Sequence, residues 1–269
     1  MKYVGALFFL FFICLTSIGQ CFTNNTVFAP GERLTYQAFY NWHFIWINGG
    51  EVVFKVDNAT YQQKPVFKLS TIGYTHKGYD KLYKVRDTFT AVVDTQFIEP
   101  IVTQRKTSEG SYVAFETYRF DKAKKVIHSS IKIEDEPVKN TSVVMKDCTS
   151  DVLTMVYKAR NIDFSKYKVN DKIPIRMIVD GVIHDLHITY LGKEIITTRD
   201  QNRKFRCIKF KPLLMKGTLF EAGEDMIVWV TDDRNRVPVM VEAKIMIGSV
   251  KAVLSDTKGL RHPLSAEIK

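Results

Sequence analysis

Apolar residues recur at every second position over most of this chain, and that period-two rhythm constrains its fold more than any other feature. Successive side chains of a strand point to opposite faces, so such alternation marks ribbons with one face on a core and one toward solvent. Leu34, Tyr36, Ala38 and Tyr40 share one side of a strand, with Thr35 and Gln37 on the other. Val52, Phe54 and Val56 alternate with Val53, Lys55 and Asp57; Phe67, Leu69 and Thr71 alternate with Val66, Lys68 and Ser70. Phe89, Ala91 and Val93 follow, then residues 112–120, then Ile127, Ile131 and Ile133 against His128, Ser130 and Lys132. Further strands are predicted at 173–179, 182–191, 205–210, 226–230, 237–245 and 250–254.

Turn residues punctuate these runs. Asp180-Gly181 between two apolar segments is a strong hairpin signal. Asn48-Gly49-Gly50 inside a strand pattern predicts a bulge or a close backbone approach. Asp57-Asn58 and Gln62-Gln63-Lys64-Pro65 read as a turn region, and 232–236 as a polar connector. One segment breaks the rhythm: Val152, Leu153, Met155, Val156, Tyr157 and Ala159 have helical spacing. Thr149 or Ser150 is expected to cap this helix, Asp151 to complement its dipole and Asn161 to end it. One short helix at about 151–160 among a dozen or so strands makes an all-β protein. The expected architecture is a large curved antiparallel sheet, a roll or open barrel, with that helix packed against it. No fixed-period repeat or linker divides the chain, so 20–269 reads as one domain with a core from about 28 to 254. The best candidate for a seam is 134–140.

The first nineteen residues have a different character. Lys2 precedes an apolar run from Val4 to Ile18, and Ser17-Ile18-Gly19 places small residues where an export peptidase reads. A signal peptide cut between Gly19 and Gln20 is expected, which places the mature protein outside the cytosol. A membrane anchor would need roughly 20 apolar residues, and this run is shorter, so no transmembrane helix is expected after cleavage. Lipid attachment at Cys21 would want a small residue before it, and Gln20 is not small. The whole chain carries a formal charge of +10 and a pI near 9.3. Such a balance favours anionic partners, an envelope lipid or an acidic glycan. Export disfavours nucleic acid, and most Lys and Arg are interleaved with acids, as on a solvated face.

Of four cysteines, Cys14 lies in the leader and Cys21 near the new terminus. Cys148 and Cys207 remain in the body, where they could form a disulfide or stand as two buried thiols. His184-Asp185-Leu186-His187 suggests a metal site, yet on a strand the two histidines face opposite ways, and two ligands are too few for zinc. Asp232-Asp233-Arg234-Asn235 lacks the glycine and terminal glutamate of a calcium loop and reads as a turn. No serine occupies a Gly-x-Ser-x-Gly elbow, and nothing in the sequence tells Glu32 and Glu51 apart from surface carboxylates. No catalytic residue and no cofactor are therefore assigned. Asn24, Asn58 and Asn140 begin Asn-x-Ser/Thr triplets that matter only on a eukaryotic secretory route. Tyr36, Tyr40, Trp42, Phe44 and Trp46 lie close together in sequence. They serve either as core or, in part, as the wall of a ligand cleft, with Tyr36, Tyr40, Trp42 and Trp46 the candidates.

Pro30-Gly31-Glu32-Arg33-Leu34-Thr35-Tyr36, Asn48-Gly49-Gly50-Glu51 and the closing Trp229-Val230-Thr231-Asp232-Asp233-Arg234-Asn235-Arg236-Val237-Pro238-Val239 resemble the exported bacterial family known as domain of unknown function 3108. The resemblance runs from about Phe28 to Leu254. It implies a β-rich exported domain, and the cut site, similar to those of Bacteroidota secreted proteins, implies the periplasm or outer envelope. The family carries no assigned activity and so lends no catalytic residues. The function expected from these readings is a non-enzymatic binding or scaffolding module of the cell envelope. A periplasmic carrier of lipid or lipopolysaccharide and a glycan-active hydrolase with an unrecognised carboxylate pair are the alternatives.

Overall fold

The computed structural model describes residues 24–42, 45–81, 83–198, 202–213, 226–244 and 248–268, without the side chains of Trp42 and Ile45. The leader and Cys21 lie outside these residues. The first half of the chain is a meander of eight strands: β1 (Arg33–Trp42), β2 (Ile45–Tyr61), β3 (Lys64–Thr75), β4 (Arg86–Val93), β5 (Pro100–Glu109), β6 (Tyr112–Asp121), β7 (Val126–Ile133) and β8 (Lys139–Val144). A two-residue β9 (Thr149–Ser150) leads into helix α1 (Val152–Arg160). A second meander follows: β10 (Lys172–Val179), β11 (Val182–Thr197), β12 (Lys204–Pro212), β13 (Met226–Thr231), β14 (Pro238–Lys244), β15 (Ser249–Lys258) and β16 (Glu267–Ile268). β15 pairs with β1 and so joins the two meanders into one sheet, ordered β8 to β1, then β15 down to β9, with β16 beside β12. All of these pairings are antiparallel except that of β9 with β10.

The sheet is open, with β8 and β9 at its two ends. It curls because strands from those ends share a core. Tyr118, Phe120 and Ile127 of β6 and β7 pack with Ile178 of β10, and Ile183 of β11 joins them. Helix α1 fills the concave side: Leu153 and Tyr157 sit among Phe28, Val56, Leu69, Ala91 and Val93. Each of those two side chains contributes about 1.5–3 kcal/mol by leaving water. Ile162 and Phe164, just past the helix, extend the core to Ile173, Ile188, Ile208 and Phe210. The opposite face of β12–β14 is covered as well, with Phe205, Cys207, Trp229 and Val239 buried against Leu264 of the C-terminal segment.

The local signals act mostly as predicted. Asp180 and Gly181 both have positive φ, +50° and +77°, which is the twist-matched two-residue hairpin turn. The register of β1 against β2 shifts between Ala38 and Phe39, opposite Gly49, so the bulge is present. Gly50 also permits a close approach: a Cβ there would lie 2.4 Å from the Tyr74 carbonyl oxygen. One turn reading needs correction. β2 runs straight through Asp57-Asn58, and the reversal comes at Gln62 and Gln63, at φ +48° and +62°. The 134–140 stretch connects two strands that pair in the same sheet, so it is a hairpin connection. The helix cap also moves by one residue. Asp151 is itself the N-cap, its carboxylate accepting from the backbone N–H groups of Leu153 and Thr154.

Candidate ligand-binding face

The aromatic cluster of β1 and β2 is divided between faces. Tyr36 is core, packed edge-on to Phe54 at 5.7 Å, and its hydroxyl has no hydrogen-bond partner among the described residues. Tyr40 alternates with Asn41, and Trp46 sits opposite Asn41, so Trp46 lies on the other face of the sheet. There the ammonium of Lys251 stands 4.5 Å from its ring centroid. The Trp42 side chain lies outside the described residues. Tyr36, Tyr40 and Trp46 therefore do not form one wall, because a one-residue step in a strand reverses the side chain.

Glu32 and Asn235, from the 30–36 and 229–239 segments, meet at a buried ion pair with Arg160. Glu32 is 1% exposed and Arg160 2% exposed, with guanidinium-to-carboxylate contacts of 2.6 and 2.9 Å. Glu32, which the sequence does not tell apart from a surface carboxylate, is thus a core residue: burial of the Arg160 end of α1 demands a partner, and Glu32 supplies it. The guanidinium also donates to the Asn235 carbonyl at 3.0 and 3.3 Å and lies over Phe28 and Tyr157. Glu51 is partly exposed and accepts from the Tyr74 hydroxyl. In the 232–235 turn, Asp233 accepts from the backbone of Asn235, Arg236 and Ala266, and Asn235 holds His262 and Pro263 through its amide. This assembly pins the helix, the opening strand and the C-terminal segment together. It is enclosed, and its groups satisfy one another.

The other candidates also find structural partners. Cys207 is a free, buried thiol, so the Cys148–Cys207 disulfide is not formed; Cys148 is itself disulfide-bonded. The physical reason is placement: Cys207 is sealed between β12 and Leu264. Burial pushes its thiol up to about 12. Asp185 is held by Arg176 at 2.5 Å and Lys146 at 3.2 Å, and those hydrogen bonds keep its carboxyl below the usual range. Among the described residues, no three His, Cys, Asp or Glu side chains gather closely enough to hold a metal ion.

Charge is segregated across β5–β8. Because Tyr118, Phe120 and Ile127 face the core, Arg105 and Glu116 share their inner side. Arg105 pairs with Glu116 at 2.8 Å and approaches Asp180 at 3.5 Å, while the Tyr118 hydroxyl donates to Glu116 and accepts from the Gly181 N–H. Burial raises the Glu116 carboxyl, with Arg105 and Tyr118 opposing. Further along the same side, Glu109 is pushed up to about 7, first by burial and then by the charge of Asp87, to which it hydrogen-bonds. The two carboxyls act directly on one another and share a half-buried site.

The outer side is different. Three successive cross-strand rows lie there: Lys106, Phe115 and Lys132; Gln104, Thr117, Ser130 and Asn140; Val102, Arg119, His128 and Ser142. None of these residues is a carboxylate. Along the second and third rows runs a groove of about 360 Å³, lined by Thr117, Arg119, His128, Ser130, Asn140 and Ser142. His128 Nδ1 lies 2.8 Å from the Ser142 hydroxyl, which orients the ring. Phe115, 43% exposed, lies in the adjacent row. Sequence reading treated His128, Ser130 and Lys132 merely as the polar alternates of a strand. The available signal was the lack of acids at outward positions 113–119, 128–132 and 140–144, with Asp121 at the end of β6, which only the register assembles into one surface.

Residues 35–255 match the model of a family described as a protein of unknown function, DUF3108. The chain belongs to the DUF3108 family. No curated protein matches it. Its fold is similar to that of a crystal structure from Brucella abortus, described as a beta-barrel-like protein of domain of unknown function DUF1849. The two share 7% identity at a TM-score of 0.55, over 86% of this chain and 98% of that one. At that identity the likeness concerns the fold alone, and it agrees with a sheet that curls toward a barrel without closing.

Proposed function

We propose that this DUF3108 protein is an exported, non-enzymatic envelope protein that binds an anionic, polar envelope component on the outer face of β5–β8. The observation that carries this reading is the sorting of charge. Three adjacent outer rows offer Lys106, Lys132, Arg119 and His128 with no acid in the rows themselves, Asp121 standing one row further along, while Glu116, Asp180, Glu109 and Asp87 lie inward. A ligand carrying negative charge meets attraction on one face and repulsion on the other. The apolar leader at residues 1–19 supports an extracytoplasmic setting. The alternatives draw less support. Carriage of an acyl chain wants an apolar channel, whereas the concave side is packed by α1 and edged with charge. Hydrolysis of a glycan wants carboxylates set across a cleft, whereas Asp87 and Glu109 perturb each other directly.

The test is cosedimentation of the mature protein with envelope glycans, and with anionic or zwitterionic vesicles, over a salt series. Binding to anionic material should weaken as salt rises, since exposed charges are screened. The Lys106→Ala/Lys132→Ala variant should bind less. Equal affinity for zwitterionic material, or turnover of the glycans, would refute the reading, as would recovery of the protein in the cytoplasm.

A further inference from the structure

The groove on this face has more structure than a basic patch needs, and we infer that it takes a phosphorylated sugar. On the reading just given, the phosphoryl group lies between Arg119 and His128 and the ring lies along Thr117, Ser130 and Asn140. Several observations converge. Arg119 makes no ion pair among the described residues, so its guanidinium is available. Asp121, the acid nearest that end of β6, is already held by the backbone N–H of Lys124 at 2.9 Å and by its ammonium at 3.7 Å. With Nδ1 turned to Ser142, the His128 ring keeps Nε2 for a second bond.

The donors come from three strands. Arg119, His128 and Ser142 are direct cross-strand neighbours, spaced about 4.5–5.5 Å apart at their Cβ atoms. A carboxylate presents two oxygens in one plane, which a single arginine satisfies. Donors spread over β6, β7 and β8 suit the non-planar oxygens of a phosphoryl group. The second row lies two residues further along each strand, about 7 Å away. Its hydroxyls and amide can both donate and accept, which is the pattern a sugar's own hydroxyls match. A groove of about 360 Å³ is larger than a lone phosphate requires. The neighbouring Phe115 offers an exposed apolar ring beside the sugar row.

Isothermal titration of the mature protein with glucose 6-phosphate, glucose, glucuronate and inorganic phosphate tests the assignment. Glucose 6-phosphate should bind about tenfold or more tightly than each of the other three. Arg119→Ala and His128→Gln should each remove that advantage, while Asn140→Ala should narrow the gap between glucose 6-phosphate and inorganic phosphate. These positions are exposed on the sheet surface, so circular dichroism should show the variants folded. A parallel arm with phosphatidylcholine vesicles, plain or carrying a phosphorylated glycolipid, separates a lipid-linked source from a soluble one. Glucuronate binding as well as glucose 6-phosphate overturns the phosphoryl assignment. Retention of affinity in Arg119→Ala places the anion elsewhere and overturns it too. If that retained affinity is lost in Lys106→Ala/Lys132→Ala, the broader envelope-binding reading survives; if no anionic material binds the parent protein, both fall.

Discussion

Replacing Arg160 with Met should unfold this protein far more readily than its modest change in volume suggests. The side chain is 2% exposed and forms a two-pronged pair with Glu32, which is 1% exposed. Breaking a buried ion pair by removing one partner costs about 3–5 kcal/mol, because the remaining charge is left uncompensated in a poorly solvating interior. Arg160→Met also strands the Asn235 carbonyl, which loses both guanidinium donors. Total stabilities of about 5–15 kcal/mol are normal, so this single change removes about a fifth or more. The matching fall in melting temperature is about 6–20 °C for a chain of this size. Urea denaturation followed by circular dichroism measures it, with a lower midpoint at an unchanged slope. The companion Glu32→Met/Arg160→Met variant should recover at least half of the loss, since replacing both charges by apolar groups leaves none buried alone. A cost under about 1 kcal/mol for Arg160→Met, or a double variant no better than the single one, would refute the reasoning.

Other consequences can be checked with little effort. Burial pushes the Asp151 carboxyl up to about 6, against the hydrogen bonds from Thr154 and Leu153. Between its unfolded value and that figure the folded state holds more protons, so this group's contribution to stability is full below about pH 4 and is lost as pH rises toward 6. The loss is about 3 kcal/mol at most. Asp151→Asn keeps the cap and should flatten the pH profile in that window; an unchanged profile would reject the assignment. In the native state Cys207 should resist alkylation and react only after denaturation, because its thiol is buried and its ionisation suppressed. Cys148 should react only after reduction as well, and a native, reducer-free reaction at either position would contradict the structure.

Much of the architecture was readable from residues alone. Alternation located the strands around Leu34, Val52, Leu69, Ala91 and Ile127. Asp180-Gly181 placed a hairpin, and the spacing of Leu153, Met155 and Tyr157 placed the helix. These signals are local: backbone geometry decides which side chains share a face within a few residues. The same logic failed at Asp57-Asn58, where the pairing of β2 with β3 outweighs two turn-prone residues. It also ended β11 early, because continued pairing with β12 carries the strand to Thr197 past Gly192.

The outer groove and the ion pair were not readable in this way. Glu32 and Arg160 are 128 positions apart, and nothing near either one reveals that both are buried. The groove needs β6, β7 and β8 in one register, so that Arg119, His128 and Ser142 stand side by side. The four aromatic candidates were close in sequence, yet Trp46 lies on the opposite face from Tyr36. Sequence by itself determined that the chain would form two-faced ribbons and one amphipathic helix, since those depend on neighbours a few bonds away. Only the tertiary structure decided which ribbon edges meet, which charges are shut away from water and which remain outside for a ligand. Those outcomes depend on contacts between distant segments, whose energies exist only once the sheet has curled around its helix.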